Sequence, residues 1–270
     1  MGLGRYITRT VKPLIKSHRQ HQAAFTANDL LFDWTSFTLP QGGSRLVGIT
    51  AIVRSNDGAD QTVPMDLFFA RNTFNTGDVQ DGTAPTSLGT PHAAITTPLQ
   101  DPYYNNLIGH AKITADNFST AGAIDFGFSI GTTGYQASTG ATAGLSGQSP
   151  LIFEDYGTTP NDGLYTFYVG ATCIATPNFD SDVAVVSVDG LDITCDGTDV
   201  RTMLAPGDVL EAYDIGTDDG ATIFELGTIG SIPDATSVRM KSGATNLNLL
   251  QDGDNLYNIN PIKLILTFER

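Results

Sequence analysis

Apolar residues recur at every second position along much of this chain, and the clearest block of that pattern runs from Leu30 to Asn72. It predicts three strands, Leu30–Leu39, Arg45–Ser55 and Pro64–Asn72, separated by the turn-forming stretches Pro40–Ser44 and Asn56–Asp60. The middle strand puts Val47, Ile49, Ala51 and Val53 on one face and Leu46, Gly48, Thr50 and Ile52 on the other. A strand apolar on both faces is normally covered on both, so this one is expected at the centre of a sheet. The first strand carries the only tryptophan, Trp34, beside Phe32 and Phe37. All three are expected to supply core volume.

The alternation returns in His110–Phe118 and Gly122–Ile130, the latter with Ile124, Phe126, Phe128 and Ile130 on one face. It returns again in Leu164–Ile174 and Val183–Val188. From Asp189 to Asn255 the strands shorten to Leu191–Cys195, Val209–Tyr213, Ile223–Gly230 and Ser237–Lys241, punctuated by Asp-Gly turns. The last stretch, Asn258–Arg270, points Ile262, Leu264, Leu266 and Phe268 inward and needs a partner strand, expected to be Leu30–Leu39. The fold class is therefore all-β: a jelly-roll-like β-sandwich, a small SH3-like β-barrel module near the C-terminus, and an extended N-terminal arm. Residues 1–24 form the arm and 25–188 the sandwich, completed by a C-terminal strand at 256–270. Residues 189–255 form the barrel, as an insertion.

Charge changes the picture in one place. The first 20 residues hold Arg5, Arg9, Lys12, Lys16 and Arg19 and no acid. The rest of the chain thus carries −20, the net −15 of the whole less the leader's +5. So acidic a body argues against direct nucleic-acid binding. The basic arm, with Pro13 opposing helix across its middle, reads either as a solvated tail or as an arm docking on an acidic neighbouring subunit; nucleic-acid contact is the least favoured reading. No apolar run is long enough to span a bilayer, and the leader lacks the apolar segment of a secretion signal.

Candidate chemistry is sparse. Cys173 and Cys195 fit no zinc spacing and leave two readings open, buried thiols or one disulfide. His18 and His21 lie three apart with no ligand close in sequence, and His92 and His110 read as surface or edge residues. A hydrolase would need one of the latter two beside a nucleophile and an acid. Asp180-Ser181-Asp182, Asp218-Asp219 and Asp252-Gly253-Asp254 could offer oxygen ligands to calcium, but none has the spacing of a calcium loop. Tight-turn chemistry explains them as well. No catalytic residue, metal ligand or cofactor is expected. The long segment Thr73–Asn106 suits an interface, and within it Tyr103 and Tyr104 are either a contact patch or caps on the core edge.

Two stretches, Asp33–Arg71 and Gly253–Arg270, resemble virion structural proteins of marine tailed bacteriophages, including those infecting cyanobacteria. The resemblance covers about a quarter of the chain and carries over no functional residue. It implies a non-enzymatic virion component assembled in the host cytoplasm, most simply a head decoration (cement) protein on the capsid. Its partners would be the major capsid protein or neck and tail subunits, and self-association, with a trimer the expected form. A neck or tail position, or a calcium-dependent glycan-binding β-sandwich, are the alternatives.

Overall fold

The middle strand of the opening block does sit at the centre of a sheet. In the computed structural model, β3 (Ser44–Arg54) pairs with the chain's last strand on one side and with β7 (Ile124–Ile130) on the other. The structure describes residues 5–21, 24–54, 62–71, 84–95, 107–121, 124–130, 151–154, 163–181, 183–197, 199–214 and 222–270. The segment Thr73–Asn106 is described only at 84–95, so Tyr103 and Tyr104 lie outside the described residues, as do Asp182, Asp218 and Asp219. The side chains of Ile124, Phe126, Phe128 and Ile130 do too.

The last strand, β16 (Ile262–Glu269), buries Ile262, Leu264, Leu266 and Phe268 completely, as its alternation requires. Its neighbours differ from expectation: they are β3 and β1 (Tyr6–Val11), and not the Leu30–Leu39 strand. That strand, β2 (Leu30–Pro40), lies in the opposite sheet beside β9 (Leu164–Cys173). Consecutive strands of the opening block therefore cross between layers. One sheet runs β1-β16-β3-β7-β6, with β6 (Phe118–Ala121) at its edge and the short β8 (Ile152–Phe153) on the start of β3. The other runs β2-β9-β4-β5, where β4 is Met65–Arg71 and β5 is Leu107–Ile113.

The orders β1-β16-β3-β7 and β2-β9-β4-β5 are those of an eight-stranded jelly roll, with β1 as its first strand. The two sheets share one core. Phe153 and Phe268 reach it from one layer and Phe37, Phe69 and Phe167 from the other, with ring centroids 5.1–6.0 Å apart.

Between β9 and β16 the chain leaves the sandwich to build a closed barrel. Its strands are β10 (Val183–Asp189), β11 (Asp192–Gly197), β12 (Val209–Asp214), β13 (Thr222–Asp234), β14 (Ser237–Met240) and β15 (Asn255–Asn258). Around the barrel they run β10-β11-β14-β13-β12-β15, and the Ala184–Asn255 pair closes it. The Val183–Val188 strand thus belongs to this barrel and not to the sandwich, so the insertion is wider than 189–255. A one-turn helix, α2 (Val200–Met203), plugs one side with Val200 and Met203 fully buried. Cys173 lies in the sandwich core and Cys195 in the barrel core, both as free buried thiols.

The arm is the largest correction. Its first half is β1, zipped to β16 from Tyr6↔Glu269 to Val11↔Leu264, and Val11 and Ile15 are buried in the sandwich core. The basic spacing reads as a solvated or docking arm because the apolar residues between the charges are few. Three of them, Val11, Pro13 and Ile15, are nonetheless buried, while Tyr6 and Leu14 stay exposed.

Candidate functional site

Residues 5–21 form a strap that starts as β1 on the sandwich and ends as the helical turn α1 (Ser17–Gln20) on the barrel. Pro13 sits between the two halves, where a break in regular structure is needed and its missing N–H does no harm. Beyond it, Ile15 N–H donates to the Ile259 carbonyl at 2.9 Å, and Asn260 Nδ2 donates to the Pro13 carbonyl at 2.9 Å. Gln20 is buried and its Nε2 donates to the carbonyls of Ile15 (2.6 Å) and Asn258 (2.9 Å). At the far end His21 Nδ1 lies 3.2 Å from Asp180 Oδ1 and 2.9 Å from the Tyr257 hydroxyl, which itself donates to Asp180 at 2.6 Å. Burial, and then that carboxylate, push the Tyr257 phenol far above its ordinary range.

The ionic centre of the strap is Glu211, fully buried on β12. It takes an ion pair from Lys16 and two hydrogen bonds from Ser17. Lys16 also reaches Glu225 on β13 at 2.8 Å. Burial disfavours the ammonium, but the hydrogen bonds and charges of Glu211 and Glu225 outweigh it, and the Lys16 pKa is raised. A second bridge, Arg54 Nη1 to Asp208 Oδ2 at 2.7 Å, ties β3 to the barrel, although burial still holds the Asp208 carboxyl above its usual value.

The five basic residues of the arm therefore divide. Arg9 donates to the Thr38 carbonyl of β2 and Lys16 pairs with the barrel, so both are engaged within their own chain. Arg5, Lys12 and Arg19 make no side-chain hydrogen bond or ion pair among the described residues, and Arg5 and Lys12 are exposed.

Beside the strap lies a cleft of about 370 Å³. One wall is Leu14, Lys16, His18 and Arg19; the other is Asp33, Trp34 and Thr35 of β2, with residues 89–91 between them. The second wall exists because β2 is irregular: its register against β9 shifts between Phe32 and Thr35, so Asp33 and Trp34 bulge from the ladder. Trp34 is accordingly half-buried on a small satellite cluster with Leu30 and Leu88, and does not fill the main core as its apolar neighbours suggested. The facing backbone is Gly170, where a Cβ would meet Leu88 Cδ1 at 2.5 Å and Trp34 Cε3 at 3.2 Å. Asp33 then fixes the loop, accepting from the Ser87 hydroxyl and from the backbone of Leu88 at 2.8 Å, while Trp34 Nε1 donates to the Thr86 carbonyl at 3.0 Å.

With Asp33 and Lys16 so engaged, the cleft presents two groups without side-chain partners among the described residues. Arg19 is half-buried, and His18 Nδ1 is buried with no hydrogen bond. Burial first, then the Arg19 charge, lower the His18 pKa below 6.5. This arrangement suits recognition of an anion by a cation and an aromatic ring.

The remaining sequence candidates are held in structural roles. His110 lies 3.8 Å from Asp66 and stacks on Phe68, and His92 packs on Phe25 with ring centroids 4.5 Å apart. Asp180 serves the His21 and Tyr257 contacts, and Asp254 Oδ2 accepts from the Gln251 amide at 2.8 Å. Among the described residues no three His, Cys, Asp or Glu side chains gather as metal ligands, and no helix is long and apolar enough to cross a membrane. No protein-family model matches the chain, and no curated protein matches it.

Proposed function

We propose that this chain is a non-enzymatic structural protein of a tailed-phage virion, a decoration or cement protein bound to the outside of the head. The observation that carries the reading is where the two resembling stretches fall. Asp33–Arg71 contains β3 and β4, Gly253–Arg270 contains β16, and β3 and β16 are hydrogen-bonded partners from Ile262↔Val53 to Glu269↔Arg45. The resemblance thus covers the centre of a jelly roll, an architecture that viral capsid domains use. Neighbouring capsid subunits would be met through the loops and through Arg5, Lys12 and Arg19, the arm cations without a side-chain partner among the described residues.

Removing residues 1–24 is no test, since it takes a sheet strand and core residues with it. The test is co-sedimentation of the intact protein with particles lacking it, alongside its mass in solution. Saturable binding by an oligomer, weakened in an R5Q/K12Q/R19Q variant, is expected. A monomer that ignores the particles would overturn the reading. Binding to isolated tails and not to heads would move the protein to the neck or tail.

A further inference from the structure

We infer that the cleft between the strap and β2 is a binding site for an acidic sugar, a pyranose carrying a carboxylate, held by the Arg19 guanidinium against the Trp34 ring. Three features of the cleft select this class. Its volume, about 370 Å³, accommodates one or two sugar rings and is at the small end of ligand sites. Its cation is unpaired: Arg19 has no carboxylate partner among the described residues, whereas Lys16 on the same wall has two. A guanidinium offers a carboxylate two parallel N–H donors, which an ammonium does not. Opposite it, Trp34 is half-buried, its ring braced by Leu88 and its Nε1 tied to the Thr86 carbonyl. Because Trp34 lines the cleft, it gives the C–H side of a sugar ring an apolar surface, which a free carboxylate such as acetate cannot use.

The cleft is built and not incidental. The β2 bulge turns Trp34 out of the ladder, Gly170 leaves room for it, and Asp33 directs its acceptors to the 84–91 segment without bonding Arg19. The reading rests on side chains of the cleft and not on a place in a virion; Arg19 is the one residue it shares with the capsid contacts proposed above.

Trp34 is the only tryptophan, so emission excited at the red edge, where the tyrosines do not absorb, reports on this cleft. Titration with sodium glucuronate or galacturonate is expected to give a saturable change in that emission, with glucose and acetate each producing none at the same concentration and ionic strength. R19Q should weaken the response by about tenfold or more, as loss of a charged hydrogen bond does. K12Q, a cation of the same strap that does not line the cleft, should leave it unchanged. An unchanged emission with both uronates overturns the proposal. So does equal binding of acetate, or a response that survives in R19Q while its melting temperature matches the parent's.

Discussion

Ser17 donates twice to Glu211: its backbone N–H and its hydroxyl each lie 2.9 Å from Oε2 of the same fully buried carboxylate. The pair joins a segment near the start of the chain to the wall of a barrel 194 residues later. With Lys16 on the other oxygen, Glu211 is left with a neutralised charge and filled acceptors, the condition under which a carboxylate can be buried at all.

Lys16→Met should therefore destabilise the protein by about 2–3 kcal/mol. This is below the ~3–5 kcal/mol of a wholly buried pair, because the Lys16 side chain is 34% exposed and partly screened. Urea denaturation would measure it, and adding Glu211→Gln to Lys16→Met should cost less than the sum of the two single changes. The exposed partner Glu225 is expected to be dispensable, its Gln variant unfolding at the parent's midpoint.

His18 makes stability depend on pH. Its folded pKa lies below the 6.5 of the unfolded chain, so between the two values the unfolded state binds more protons. Stability from this group is full above pH 6.5 and falls as the pH drops through the folded value. The difference in unfolding free energy between the parent and a His18→Gln variant, followed from pH 8 to 5, isolates this slope from the carboxylates. A difference that stays flat across that range would contradict the buried, Arg19-facing imidazole.

The two thiols should be silent in the native protein. Burial pushes both Cys173 and Cys195 up to about 12, so little thiolate is available near pH 8. Ellman's reagent is expected to find no thiol until denaturant is added, and then two per chain. A native value of one or more would mean that one of the cores opens readily.

Gly170→Ala should disturb the cleft from behind. The new Cβ would press on Leu88, which is buried, and on Trp34. A loss of about 1–3 kcal/mol is expected, as for other overpacked sites, together with a red shift of the tryptophan emission as the ring is displaced towards water. Circular dichroism should retain the β signature, because the ladder on either side does not depend on that contact.

Much of the sandwich was legible because its strands announce themselves by period. Ile262, Leu264, Leu266 and Phe268 alternate without error, and all four are buried. The bulges were harder, although the sequence holds a trace of them. Inward residues on one strand must be an even number apart, yet Phe32 and Phe37, both buried, are five apart, and Leu46 and Ile49 are three apart. Each odd step coincides with a register shift, in β2 against β9 and in β3 against β16. The strap was illegible for another reason. Its side-chain contacts, Lys16 with Glu211 and His21 with Asp180, join residues 195 and 159 positions apart, and no local pattern encodes a partner at that distance. The cleft followed from both omissions, since its walls are the strap and a bulge.

The pairing of β1 with β16 sets the timetable of synthesis. Residues 6–11 leave the ribosome some 250 residues before the strand that receives them, residues 262–269. Until then β3 also lacks one of its two neighbours, and the aromatic core lacks Phe268. At about 5–20 residues per second the nascent chain spends ten seconds or more with an open apolar sheet edge. The inserted barrel, whose strands all lie between residues 183 and 258, is complete sooner and can form first. The jelly roll then closes in a late step, with the strap laid down across both as the last strand arrives.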